Sequence, residues 1–262
     1  MPPIIGNLEE FQNVSPALQW AIFIVAALIA VVAVFSLSIA LWLFVKYVSF
    51  NRQKNSAGIT GSDAARKILD NNGLNHIRVS VVGSLLFGNS YSHYFNKVRL
   101  RRLTNKKPSI TSLAMGAEKS ALAIMDKEGD KDMKKRIALT PLIYFGPIAF
   151  IPLVIVGALL DYFLFNGTGV ITFIFTIIGL LFYVASFVLS IMILKTEVKA
   201  QKLACEILAK ENLATSEEIE SMKELFKLYN IQYVNDIVIE FLELIMRVLM
   251  MLAKIQNSAD KD

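Results

Sequence analysis

The chain has 262 residues, of which 55% are hydrophobic and only 19% charged. A soluble domain carries about 25% charged residues, so the composition points to a membrane, with length for one membrane module and one small polar domain. A single cysteine, Cys205, excludes an internal disulfide and a cysteine-based metal knuckle. The net charge of +5 comes without a basic stripe interleaved with aromatics, which favours anionic lipid over nucleic acid as its partner.

The first long apolar run is Trp20 to Val45, long enough to span hydrocarbon with some tilt. Residues 1–19 before it carry Glu9 and Glu10 and no Lys or Arg. A cleaved leader would start basic and have a shorter apolar core, so 20–45 reads as an uncleaved anchor. The second run is 138–165 and the third is 170–194. Asn166, Gly167, Thr168 and Gly169 supply turn chemistry between them, which makes the pair a helical hairpin. Pro141, Pro147 and Pro152 should kink or loosen the first half of the second run.

Between the first and second runs, residues 46–137 hold 18 Lys and Arg against 7 Asp and Glu. Lys134, Lys135 and Arg136 abut the second run, and Lys195, Lys199 and Lys202 follow the third. The positive-inside rule then places the amino terminus outside and both polar regions, 46–137 and 195–262, in the cytoplasm of a multi-pass protein of the cell membrane.

Residues 46–137 read as an α+β domain. Thr60-Gly-Ser-Asp63 is a capping box, followed by an apolar stripe of Ala64, Ala65, Ile68 and Leu69 that ends at Asn72-Gly73. Ile77, Val79 and Val81 alternate with polar residues, as do Val98 and Leu100, giving two short strands. Pro108 to Met125 reads as a second helix. Gly58 and Gly61 precede a helix start, a weak anion-binding signal beside the simpler reading of a turn and cap. After the third run, Thr196 to Lys210 is helical, and Thr215-Ser-Glu-Glu218 is a capping box for a helix ending near Tyr229. In the last segment Asp236, Glu240, Glu243 and Arg247 share one face. Four charges argue against a lipid-exposed span. Residues 231–254 are therefore expected as an amphipathic helix packed on the membrane module or at the interface, with a buried span of paired charges as the alternative. The fold class is an α-helical integral membrane protein with three transmembrane helices, the α+β domain and a carboxy-terminal helical region.

The segment from Asn55 to Val79, NSAGITGSDAARKILDNNGLNHIRV, resembles the YugP-type family of bacterial membrane zinc metallopeptidases. The order of parts agrees over most of residues 17–255. The resemblance implies a zinc helix with His-Glu-x-x-His. Two histidines one turn apart bind zinc, and the glutamate deprotonates the bound water. It also implies a further acidic ligand from the helix after the hairpin. At the corresponding positions the sequence reads Glu118-Lys119-Ser120-Ala121-Leu122. Glu118 and Leu122 stand where the histidines would be, and Lys119 replaces the general base. Glu197 matches the third ligand. Leucine ligates no metal, and a protonated lysine repels one. The only histidines are His76 and His93, so no His-x-x-x-His pair exists. His93, in Ser-His-Tyr-Phe, is expected as a hydrogen-bonded side chain at a strand edge, and His76 at the surface.

Three function classes follow. The leading one is a catalytically inactive relative that binds other membrane proteins or itself, with no cofactor, and with Glu118, Lys119 and Glu197 forming a polar cluster in place of the metal. The second is an active membrane-anchored zinc metallopeptidase. The third is a subunit of a transporter or insertase, for which the near absence of charge in the three runs is unsuited; Thr172, Thr176, Ser186 and Ser190 read as helix-packing residues.

Overall fold

The computed structural model describes residues 14–82, 88–165, 167 and 169–259, except the side chains of 141–148 and 258–259. The acidic flank at Glu9 and Glu10 lies outside the described residues, as do Asn166 and Thr168 of the expected turn. The chain is mostly helical with one small sheet. Its helices are α1 (Pro16–Arg52), α2 (Gly61–Asn71), α3 (Arg102–Lys106), α4 (Ile110–Lys127), α5 (Lys131–Leu164), α6 (Val170–Lys210) and α7 (Ser216–Ala259). Its strands are β1 (Arg78–Val82), β2 (Ser90–Ser92) and β3 (Lys97–Arg101).

The residues divide into two compact units. One comprises 1–38, 141–190 and 234–262, and the other 39–140 and 191–233. The first is built from long helices. Among the described residues, α1 and α6 are long and apolar enough to cross a membrane, and Ala149–Leu164 of α5 is a shorter apolar stretch. Val31, Val34, Phe35 and Leu37 on α1 are more than half exposed. Gly167 and Gly169, both at positive φ, separate α5 from α6. Asp161 accepts hydrogen bonds from the Thr172 backbone and hydroxyl, both at 2.8 Å, and ties the two helices at that end.

Two expected boundaries are corrected. The third apolar run and the helix 196–210 are one helix of 41 residues. The helix expected to stop near Tyr229 continues to Ala259 as one helix of 44 residues. Nothing between Tyr229 and Ile231 breaks it: Asn230 lacks a following Gly or Pro, and it spends its amide on Gln201 at 2.8 Å.

In the second unit the capping box of Thr60 and Asp63 closes reciprocally at the start of α2, and that of Thr215 and Glu218 does so before α7. The two strands expected from the alternation are β1 and β3, which pair in parallel with Val79 opposite Val98 and Val81 opposite Leu100. A third strand, β2, pairs antiparallel on the other side of β3, giving the order β1-β3-β2. Its three residues, Ser-Tyr-Ser, carry too little alternation to be seen in sequence. Buried residues of α2, α4, β3, α6 and α7 share one core.

Helix α4 lies at the centre of this core. Every residue from Ile110 to Met125 is buried, including Glu118, Lys119 and Ser120. Small side chains make this possible. A Cβ on Gly116 would run into the Gly61 carbonyl, and one on Gly61 would meet the backbone oxygens of Thr104 and Ser112. Gly61 therefore serves close packing of α2 on α4 rather than an anion. Backbone cannot retreat as a flexible side chain can, so Gly116→Ala should destabilise this unit by about 3 kcal/mol. Thermal unfolding in detergent, compared with Lys67→Ala on the exposed face of α2, checks this.

Candidate functional site

The expected polar cluster of Glu118, Lys119 and Glu197 is assembled by α4, α5, α6 and α7. Glu118 and Lys119 are adjacent on α4. Lys119 Nζ lies 3.0 Å from Glu118 Oε2 and 3.0 Å from Glu197 Oε2 of α6. Arg136 of α5 reaches the other Glu197 oxygen at 2.5 Å. One turn beyond Glu197, Gln201 donates to Glu118 Oε1 at 3.1 Å and accepts from Asn230 of α7. Glu118 is 4% and Lys119 8% exposed. Ser120 hydrogen-bonds the Gly116 and Ala65 carbonyls and takes no part in the cluster. Leu122, 1% exposed, joins the apolar core.

The two carboxylates differ in their counter-charges. Burial pushes both upward. Glu197 faces two cations, Lys119 and Arg136, which overcome burial and hold its carboxyl down at about 2. Glu118 shares only Lys119, and burial prevails, so its carboxyl stays above the usual range. Burial pulls Lys119 down, but the two carboxylates more than offset it and keep the ammonium charged beyond the ordinary lysine value.

A divalent cation does not fit this donor set. Catalytic zinc takes three protein ligands and an open position. Here the space between the two carboxylates is filled by an ammonium group. The orphaned buried atom beside them, Arg136 Nη1, is a hydrogen-bond donor and repels a cation. Among the described residues, no three His, Cys, Asp or Glu side chains form a group that could hold a metal.

The histidines lie elsewhere. His93 follows β2 and is hydrogen-bonded, with Nδ1 2.6 Å from Asp126 Oδ2. The same oxygen accepts from Tyr91 at 2.6 Å, and burial together with this carboxylate raises the Tyr91 phenol. His76 is exposed. Cys205 is buried in the core, where desolvation raises its thiol and leaves it a poor nucleophile.

Residue spacing alone did not reveal Arg136, Gln201 or Asn230 as members of the cluster. Gln201 had a signal, since it lies one turn from Glu197 on the same helix face. Arg136 had none, because its side chain arrives from a different helix and reads in sequence as part of a basic flank.

No curated protein and no solved structure matches the chain. From the first apolar helix into the last, residues 22–253 match the family described as "Putative neutral zinc metallopeptidase", and the chain belongs to that family.

Proposed function

We propose that this protein is a member of the metallopeptidase family that has lost its metal centre and acts by binding, with other membrane proteins or a second copy of itself as partner. The observation that carries this reading is the Lys119 ammonium, held 3.0 Å from both Glu118 and Glu197. A cation of the protein's own occupies the place between carboxylates where a metal would have to sit. The zinc helix of the family then survives as a structural helix, and Lys119 replaces the base that would deprotonate water. An ammonium cannot accept that proton. The scaffold is kept while the chemistry is gone, and such a scaffold can still present a surface to membrane partners.

In this reading α1, the apolar part of α5 and the first part of α6 are three membrane spans. The basic bias of residues 46–137 and of Lys195, Lys199 and Lys202 puts the α4-centred unit in the cytoplasm and the α5–α6 turn outside. Lys199 is itself paired with Asp130 and Asp132, so its charge supports orientation while also joining α6 to the start of α5.

The purified protein, supplied with zinc, should leave casein uncleaved at the level of a protein-free control. Cleavage that EDTA abolishes would overturn the proposal. Crosslinking in native membranes should then recover a specific membrane protein or a dimer of this chain.

A further inference from the structure

The carboxy-terminal half of α7 pairs with α6 in a way its charge count conceals. As α7 advances from 240 to 247, its partners on α6 run backwards. Ser190 Oγ donates to Glu240 Oε2 at 3.2 Å, and Tyr183 OH donates to Glu243 Oε2 at 2.8 Å. The Arg247 guanidinium lies over the Tyr183 ring at 5.0 Å and over Phe150 of α5 at 4.6 Å. Phe241 stacks on Phe187 with ring centroids 5.2 Å apart. The two helices are therefore antiparallel neighbours over this length. Further along, Ala253 packs with Val14 and Ile22 beside the start of α1, and Gln256 accepts from the Ser15 backbone at 3.1 Å.

The opposite face of α7 is apolar and open. Val234, Val238, Phe241, Val248, Leu252 and Ile255 are each 37% to 47% exposed, with Phe241 at the edge of this face, where its ring also meets Phe187. They recur at steps of three, four or seven residues, one continuous stripe at helical spacing. Helix α1 in the same unit shows the same outward apolar surface. A soluble protein does not leave such a stripe in water, and an interfacial helix would turn its charges outward and its apolar side inward. Here the polarity is reversed: Glu240, Glu243 and Arg247 are turned onto helix neighbours and the aliphatic side faces out, while the exposed Asp236 and Lys254 lie in the first and last turn of 234–255, within reach of the interface.

We propose that residues 234–255 of α7 cross the membrane as a further span, their aliphatic stripe against lipid acyl chains and their charged seam sealed against α6. These residues extend about 33 Å as a helix, enough for a hydrocarbon core of about 30 Å. Charged groups in spans face the bundle and pair with one another or with neighbouring polar groups, which this seam does. Because α7 runs antiparallel to α6, its end emerges on the side of the α5–α6 turn, where α1 begins. The proposal rests on the reading of α6 as a span.

The test is labelling with a membrane-impermeant maleimide of single cysteines placed in full-length protein carrying Cys205→Ser. The positions are Phe165→Cys at the α5–α6 turn, Glu217→Cys at the start of α7 and Gln256→Cys at its far end, with Ile255→Cys as a second probe free of the Ser15 hydrogen bond. In intact cells and inverted vesicles, Phe165→Cys and Gln256→Cys should label from one face and Glu217→Cys from the other. Labelling of Gln256→Cys and Ile255→Cys together with Glu217→Cys, opposite Phe165→Cys, would overturn the span in α7 and leave α6 intact. Labelling of Phe165→Cys and Glu217→Cys from one face would overturn both.

Discussion

Lys119→Met is expected to destabilise the α4-centred unit by about 3–5 kcal/mol, the range for breaking a buried ion pair by removing one partner. The variant keeps the volume of the side chain and deletes only the charge. Glu118 and Glu197 are then left close together with Arg136 as the remaining cation, and Arg136 contacts Glu197 only. In detergent the unfolding midpoint should fall by on the order of 10 °C. Glu118→Gln should cost far less, because Lys119 keeps Glu197 as its counter-ion and the amide oxygen can still accept from one of the two donors that face Glu118. Equal costs for the two changes would mean that Lys119 is not the centre of the cluster.

The pH dependence carries the same signature. Glu197 is depressed to about 2 from an ordinary 4.5, so its contribution is fully present above 4.5 and lost as pH falls through that window. Glu118 is raised, so its effect has the opposite sign and lies above 4.5, where stability declines as pH rises through its folded value. The acid limb below 4.5 therefore reports Glu197. With Lys119 replaced, Glu197 loses its first counter-charge, and the acid limb should move to higher pH. Unfolding midpoints between pH 2 and pH 6 would show this shift, and an unchanged limb would contradict it.

The combined change Glu118→His, Lys119→Glu, Leu122→His is expected to create a metal-binding site. Positions 118 and 122 lie one turn apart on α4 and share a face. Glu197 already reaches the intervening position, since it bonds Lys119 at 3.0 Å. Replacing the ammonium by a carboxylate removes the repulsion, and the two imidazoles with Glu197 supply three ligands. The variant should retain one zinc per chain through gel filtration. Its unfolding midpoint should rise with added zinc, because a ligand that binds only the folded state stabilises it by mass action. A variant that keeps no zinc would contradict the correspondence between residues 118–122 and the family's metal motif.

Local rules were legible in the sequence wherever a short stretch carried its own signal. The Thr60–Asp63 box and the alternation of Val79, Val81, Val98 and Leu100 led directly to α2 and to the strands β1 and β3, though not to their parallel pairing. They failed where the determining contact lay far along the chain. β2 exists because β3 offers it an edge, and Ser-Tyr-Ser alone does not announce a strand. The continuity of α7 through Asn230 depends on a bond to Gln201, 29 residues away. The grouping of Glu118, Lys119 and Glu197 was reached through the family resemblance, since 78 residues separate Lys119 from Glu197. Arg136 completed the cluster from a helix that the sequence shows only as a basic flank. The charges of α7 illustrate the same limit: counting them describes a helix unfit for lipid, whereas Glu240, Glu243 and Arg247 are turned onto α5 and α6.

The most direct test of the account is the zinc content of the intact, purified protein, measured by mass spectrometry after gel filtration in detergent with zinc supplied during expression. With an ammonium seated between Glu118 and Glu197, zinc should be far below one atom per chain and unchanged by EDTA treatment. One zinc per chain, removed by EDTA, would contradict it.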